Sequence, residues 1–70
     1  MAMRDDLERL VGEMVARGIQ YPDAHREFEK RFIAAALGRT NGSVGRAAEL
    51  LGIHRNTLSR KLSEHRLRSR

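Results

Sequence analysis

From Pro22 to about Thr40 the chain carries one helical pattern whose apolar side is too wide to be covered from a single direction. Placed at about 100° per residue, Ala24, Ala35, Phe28, Phe32, Ala36, Ile33 and Leu37 spread over about 220° of the circumference, far more than the one-sided stripe of a surface helix. Such a helix must be packed on two sides. A chain of 70 residues makes one domain and offers few short elements to do the packing. Chains this small rely on disulfides, metal or oligomerisation to supplement a thin core. With no cysteine, disulfides and thiolate metal sites are removed. The simplest second cover is therefore the same surface of another copy, the alternative being a central helix wrapped by its own chain.

The remaining patterns are helical too. Met3, Leu7, Leu10, Val11, Met14 and Val15 recur at spacings of three and four, opposite Arg4, Asp5, Glu13 and Arg17, which predicts an amphipathic helix over roughly residues 3–17. Gly18 stops it. Pro22, suited to a first helical position, and Asp23, near the positive end of the helix dipole, start the wide-faced second helix. Because Phe28 and Phe32 fall on the apolar arc, they are read as core and not as a platform for stacking bases.

Asn41-Gly42 is a turn signal and Ser43 an N-cap candidate for a third helix, in which Val44, Ala47, Ala48, Leu50 and Leu51 are apolar and which Gly52 closes. Ile53 and His54 lead into a fourth helix, about Arg55 to His65, with Leu58 and Leu62 as its buried stripe. Two short helices joined by a tight turn containing glycine form the pattern of a helix-turn-helix. Its spacing is moderately specific by itself, since any helical hairpin needs some of it: Ala48 is small where the helices cross, Gly52 opens the turn, and Ile53 and Leu58 fill the wedge. No strand alternation and no internal repeat interrupts this all-α reading.

Charge is segregated along the chain. Residues 1–38 hold six Lys/Arg against seven Asp/Glu, net −1, while residues 39–70 hold eight against two, net +6. A polarised basic half points to a polyanion, above all nucleic acid, with an anionic membrane surface as the rival. The outward side of the fourth helix displays Asn56, Thr57, Ser59, Arg60 and Ser63, flanked by Arg55 and Lys61, with no acidic residue before Glu64. An ordinary solvated helix mixes signs. Arginine can hold guanine O6 and N7 with two hydrogen bonds, and asparagine can hold adenine N6 and N7 likewise. The first turn of a recognition helix is what reaches base edges, so Arg55, Asn56 and Thr57, with His54 beside them, are the candidate reading residues. Arg60 and Lys61 are candidate positioning contacts to phosphate, and Ser43, with the free amides at its helix start, is a further phosphate candidate.

The stretch GSVGRAAELLGIHRNTLSRKLSEHRL, Gly42 to Leu67, resembles the Fis family of bacterial nucleoid proteins and the similar C-terminal domains of enhancer-binding transcriptional activators. The match is carried by AAELLGI followed by RNTLSRKL; over residues 1–41 it is architectural only. The resemblance implies a single four-helix domain over residues 1–70, divided into dimerisation helices (1–41), a helix-turn-helix (42–67) and a basic tail (68–70). It further implies that the first two helices intertwine with a twin's, putting Leu7, Leu10, Val11, Met14, Phe28, Phe32 and Ala35 at a homodimer interface. The implied partner is double-stranded DNA, bound with loose sequence preference and commonly bent, in transcription regulation within the bacterial cytoplasm at the nucleoid. A longer activator or other transcription proteins fit the same context. By position, Arg55, Thr57, Arg60 and Lys61 match DNA-contacting residues of the family and Ser43 a phosphate contact. Two departures stand out. His54 occupies the N-cap of the recognition helix, where imidazole caps less well than Asn, Ser or Gly, and Asn56 and Ser59 look more like the activator domains.

Other chemistry finds little support. His25, His54 and His65 lack partners at a metal-binding spacing and are read as exposed or capping groups; no catalytic residue, cofactor, metal or small-molecule substrate is expected. No apolar run approaches the roughly 18 residues of a membrane span, so a soluble, intracellular protein is expected. Use of the helix-turn-helix as a protein-interaction module, without DNA binding, is the competing function. A membrane-surface helix at the C-terminus is disfavoured by an apolar face of Leu58, Leu62 and Leu67 with no Trp or Phe.

Overall fold

The computed structural model describes residues 2–67; the basic tail expected at 68–70 lies outside them. Four helices follow in order: α1 (Ala2–Ala16), α2 (Tyr21–Arg39), α3 (Val44–Leu51) and α4 (Arg55–His65). No strand occurs among the described residues. The all-α, four-helix expectation therefore holds, with both ends of α1 and the start of α2 displaced by a residue. Thus α2 begins at Tyr21, placing Pro22 inside the first turn, where a missing N–H breaks no intrahelical bond.

Helix ends follow from local backbone chemistry. At the end of α3, Gly52 takes a left-handed conformation (φ 72°), and the N–H groups of Gly52 and Ile53 donate to the carbonyls of Glu49 and Ala48 at 3.1 and 3.0 Å. This Schellman closure turns the chain sharply and lays Ile53 against the core. The same closure ends α4 at Arg66 (φ 55°), where the N–H of Leu67 donates to Leu62 O at 2.9 Å and Leu67 packs back on the core. Arg66 adopts this conformation without being glycine, so the apolar contact of Leu67 offsets the strain.

The core consists of Ile33, Ala36 and Leu37 from α2, Ala47 and Ala48 from α3, and Leu58 and Leu62 from α4. Leu58 has no exposed surface, and Val44, Leu51, Ile53 and Leu67 close the edges. The small residue expected at the helix crossing is thus a pair, Ala47 and Ala48, both buried. Small side chains let α3 approach α2 and α4 together, and Leu58 fills the wedge as its position in the sequence predicts.

The wide arc of α2 is split between two fates. Ile33, Ala36 and Leu37 are buried under α3 and α4, whereas Phe28, Phe32 and Ala35 face outward. Phe28 and Phe32 stack with ring centroids 5.3 Å apart, yet remain 57% and 54% exposed. The reading of these two rings as core is therefore not met within a single chain. On α1 no residue is buried, Met14 is partly covered, and Leu7, Leu10 and Val11 are exposed. Apolar side chains on α1 and on α2 are thus left exposed.

Candidate nucleic-acid interface

The helix-turn-helix is assembled from α3, the turn Gly52–His54 and α4. Ser43 caps α3: its hydroxyl oxygen accepts from Arg46 N–H at 3.3 Å. His54 caps α4, its Nδ1 accepting from Asn56 N–H at 3.0 Å. The departure flagged at His54 is thereby explained in structural terms, since imidazole supplies an acceptor through an unprotonated nitrogen. A neutral ring accepting at Nδ1 carries its proton on Nε2, which leaves one N–H donor on this exposed side chain.

With Leu58 and Leu62 buried, Arg55, Asn56, Ser59, Arg60 and Ser63 are exposed and Thr57 is half-buried. Arg55 stands in the first turn and Arg60 on the second, where its Nε lies 4.0 Å from Glu64, a loose i,i+4 pair that leaves the guanidinium accessible. Ser43, His54, Arg55, Asn56, Thr57 and Arg60 thus all belong to the caps or the solvent side of the unit.

Lys61 differs. Its ammonium donates to Glu29 Oε1 at 2.8 Å, across to α2, and His65 Nε2 lies 3.3 Å from the same oxygen. His25 Nδ1 approaches the other oxygen, at 3.7 Å. The His65 side chain is only 8% exposed, which corrects its reading as an exposed or capping group. Sequence reasoning missed this cluster. One signal was present: His65 is seven residues beyond Leu58 and so falls on the same helical stripe, facing inward.

Glu29 is held below the usual glutamate range chiefly by the Lys61 hydrogen bond, with partial burial opposing and His65 assisting. A carboxylate with a depressed pKa stabilises the fold above its unfolded pKa, near 4.3, and that contribution disappears as pH falls through the lower folded value. Thermal midpoints measured between pH 7 and pH 3 should therefore show wild type more stable than Glu29→Gln at neutral pH, the gap closing below about pH 4. A gap independent of pH would mean that the ionised carboxylate contributes nothing.

Comparison with known proteins identifies the lineage. The family model described as "Bacterial regulatory protein, Fis family" matches residues 24–65, which spans α2 from Ala24 onward and the whole helix-turn-helix. The chain belongs to the Fis family. Among curated relatives, a "Nitrogen assimilation regulatory protein NtrX" of Azorhizobium caulinodans is 38% identical over 45 residues, covering 64% of this chain and 10% of that protein. A "Putative Fis-like DNA-binding protein" of Xylella fastidiosa is 48% identical over 42 residues, covering 60% of this chain and 47% of that one. This Fis-family chain thus spans about a tenth and about half of these two relatives. No solved structure matches it significantly.

Proposed function

We propose that the protein is a homodimer that binds double-stranded DNA through paired helix-turn-helix units and acts in transcription regulation, DNA bending or both. The observation carrying this reading is the exposed face of α4. From Arg55 to Ser63 it holds cationic and neutral hydrogen-bonding groups and no acid, on a helix whose other side is anchored by Leu58 and Leu62. Arg55 and Asn56 read base edges in a major groove; Thr57, Arg60, Ser43 and the His54 N–H contact backbone phosphates or adjacent edges. Fis-family membership and the DNA-binding relative support the same reading. The protein has no catalytic role in this account and works in the bacterial cytoplasm, on its own or as part of a longer activator.

The uncovered apolar surface of α1 and α2 supports dimerisation. Leu7, Leu10, Val11, Met14, Phe28, Phe32 and Ala35 cover one another's counterparts in a twin subunit, and two recognition helices are then presented at a set separation. Phosphate contacts supply most of the affinity. With few side chains able to read bases, and each mismatch costing about 1 to 3 kcal/mol, sequence preference is loose and DNA shape contributes to site choice.

Arg55→Ala should weaken binding by about 1 to 3 kcal/mol and flatten the preference among duplex sequences, as expected for loss of a bidentate base contact. Mobility-shift titrations against a panel of duplexes check this. Unchanged affinity and preference would remove Arg55 from the reading set.

A further inference from the structure

The apolar contacts of α4 decide which side of the helix faces the core. Leu58 and Leu62 lie one turn apart on a single stripe, and dispersion contacts have no direction. The Glu29 cluster sits beside that stripe and does have direction. One carboxylate oxygen receives the Lys61 ammonium at 2.8 Å and faces His65 Nε2 at 3.3 Å. The three side chains are largely withdrawn from solvent, Glu29 being 17%, Lys61 30% and His65 8% exposed. The Lys61 ammonium, which donates, and the His65 imidazole nitrogen one turn on, 3.3 Å away, meet the same oxygen of α2 and so restrict rotation about the helix axis beyond what the apolar stripe does, which a lone surface ion pair does not. His25, Arg26, Tyr21 and Glu64 line the same open cleft, but only His25 also approaches the Glu29 carboxylate, and more loosely.

The placement of Glu29 matters because of what α2 does elsewhere. Its Ile33, Ala36 and Leu37 side holds the helix-turn-helix, while its Phe28 and Phe32 side is the uncovered apolar surface. The cluster therefore bridges the dimerisation helix and the recognition helix. We propose that Glu29 is a positioning residue for DNA recognition: through Lys61 and His65 it fixes the orientation of α4 on α2, hence the separation of the paired recognition helices, and it holds Lys61 back from the DNA. The proposal rests on the reading of the protein as a DNA-binding dimer. It assigns Lys61 a different role from the phosphate contact that its place beside Arg60 in the sequence suggests. A lysine already neutralised by a carboxylate 2.8 Å away releases few counterions on binding.

The chain has no cysteine, so a nitroxide on Ser63→Cys, an exposed position of α4, reports one distance between the two recognition helices of a DNA-free dimer. Pulsed dipolar spectroscopy is expected to give a narrow distribution in the otherwise native protein and a clearly broadened or shifted one in Glu29→Gln and in Lys61→Gln. Salt titrations of duplex binding, without the label, provide the second readout. Arg60→Gln should reduce the slope of log K against log salt by about 1 per subunit, while Lys61→Gln should leave it unchanged within about 0.3. Circular dichroism establishes that each variant is folded, and a general loss of stability would move neither the slope nor its contrast with Arg60. Distance distributions identical to wild type in both variants would overturn the proposal, as would a Lys61→Gln slope reduced as much as that of Arg60→Gln. If the native protein gives no dipolar signal and no duplex binding at 50 mM salt, the dimeric DNA-binding reading itself fails, and the role assigned to Glu29 fails with it.

Discussion

Phe32→Asp is expected to convert the dimer into monomers at micromolar concentration. Phe32 is 54% exposed in the single chain and stacked on Phe28, so much of its ring is available to be covered by a twin subunit. Covering the exposed half of one phenylalanine is worth about 0.8 to 1.6 kcal/mol, and a two-fold interface contains each residue twice. The loss is therefore roughly 1.6 to 3.2 kcal/mol per dimer, or about 15- to 200-fold in dissociation constant, to which the cost of desolvating two carboxylates adds. The fold of the subunit itself should survive, because Phe32 takes no part in the buried cluster built on Leu58. Light scattering gives the mass, and circular dichroism shows whether helix content is kept. A retained dimer mass would reject this interface. Monomers should also bind a two-site duplex more weakly, since each presents a single recognition helix.

Leu58→Ala should have the opposite signature, damaging the subunit and leaving the apolar α1 and α2 surface intact. Leu58 is completely buried at the meeting of α2, α3 and α4. Removing its isopropyl group costs about 2 to 5 kcal/mol in transfer and cavity terms. For 70 residues a total stability of about 4 to 10 kcal/mol is ordinary, so this one change removes a large part of it. Urea unfolding followed by circular dichroism should show a midpoint lowered accordingly, with DNA binding lost over the same range of denaturant. A midpoint within error of wild type would mean that Leu58 does not anchor the recognition helix.

These two residues also mark where sequence reasoning succeeds. Leu58 and Leu62 on a single stripe, Ala48 at a crossing and Gly52 in the turn are local patterns, separated by a few residues and imposed by helical periodicity and one left-handed backbone position. All were legible. The width of the α2 arc was legible as well, though not its division, because which half the chain covers depends on where α3 and α4 fold back. The cap at His54 was doubted on average preferences, yet a neutral imidazole nitrogen 3.0 Å from the Asn56 N–H meets the chemical requirement. Least legible was the Glu29 cluster. Its main contact joins residues 32 apart, and Lys61 is indistinguishable in sequence from the cationic run around it. A charged side chain on the flank of a helix carries no periodic signal of which partner it meets.

A dimer that presents two cationic helices to duplex DNA binds with a steep dependence on salt, which a titration tests directly. Titration of a duplex with the native protein should give a linear fall of log K with log salt, and an affinity lower by about 10³ or more at 200 mM than at 50 mM. Absence of duplex affinity at 50 mM salt would contradict the account and leave the helix-turn-helix as a module for binding protein.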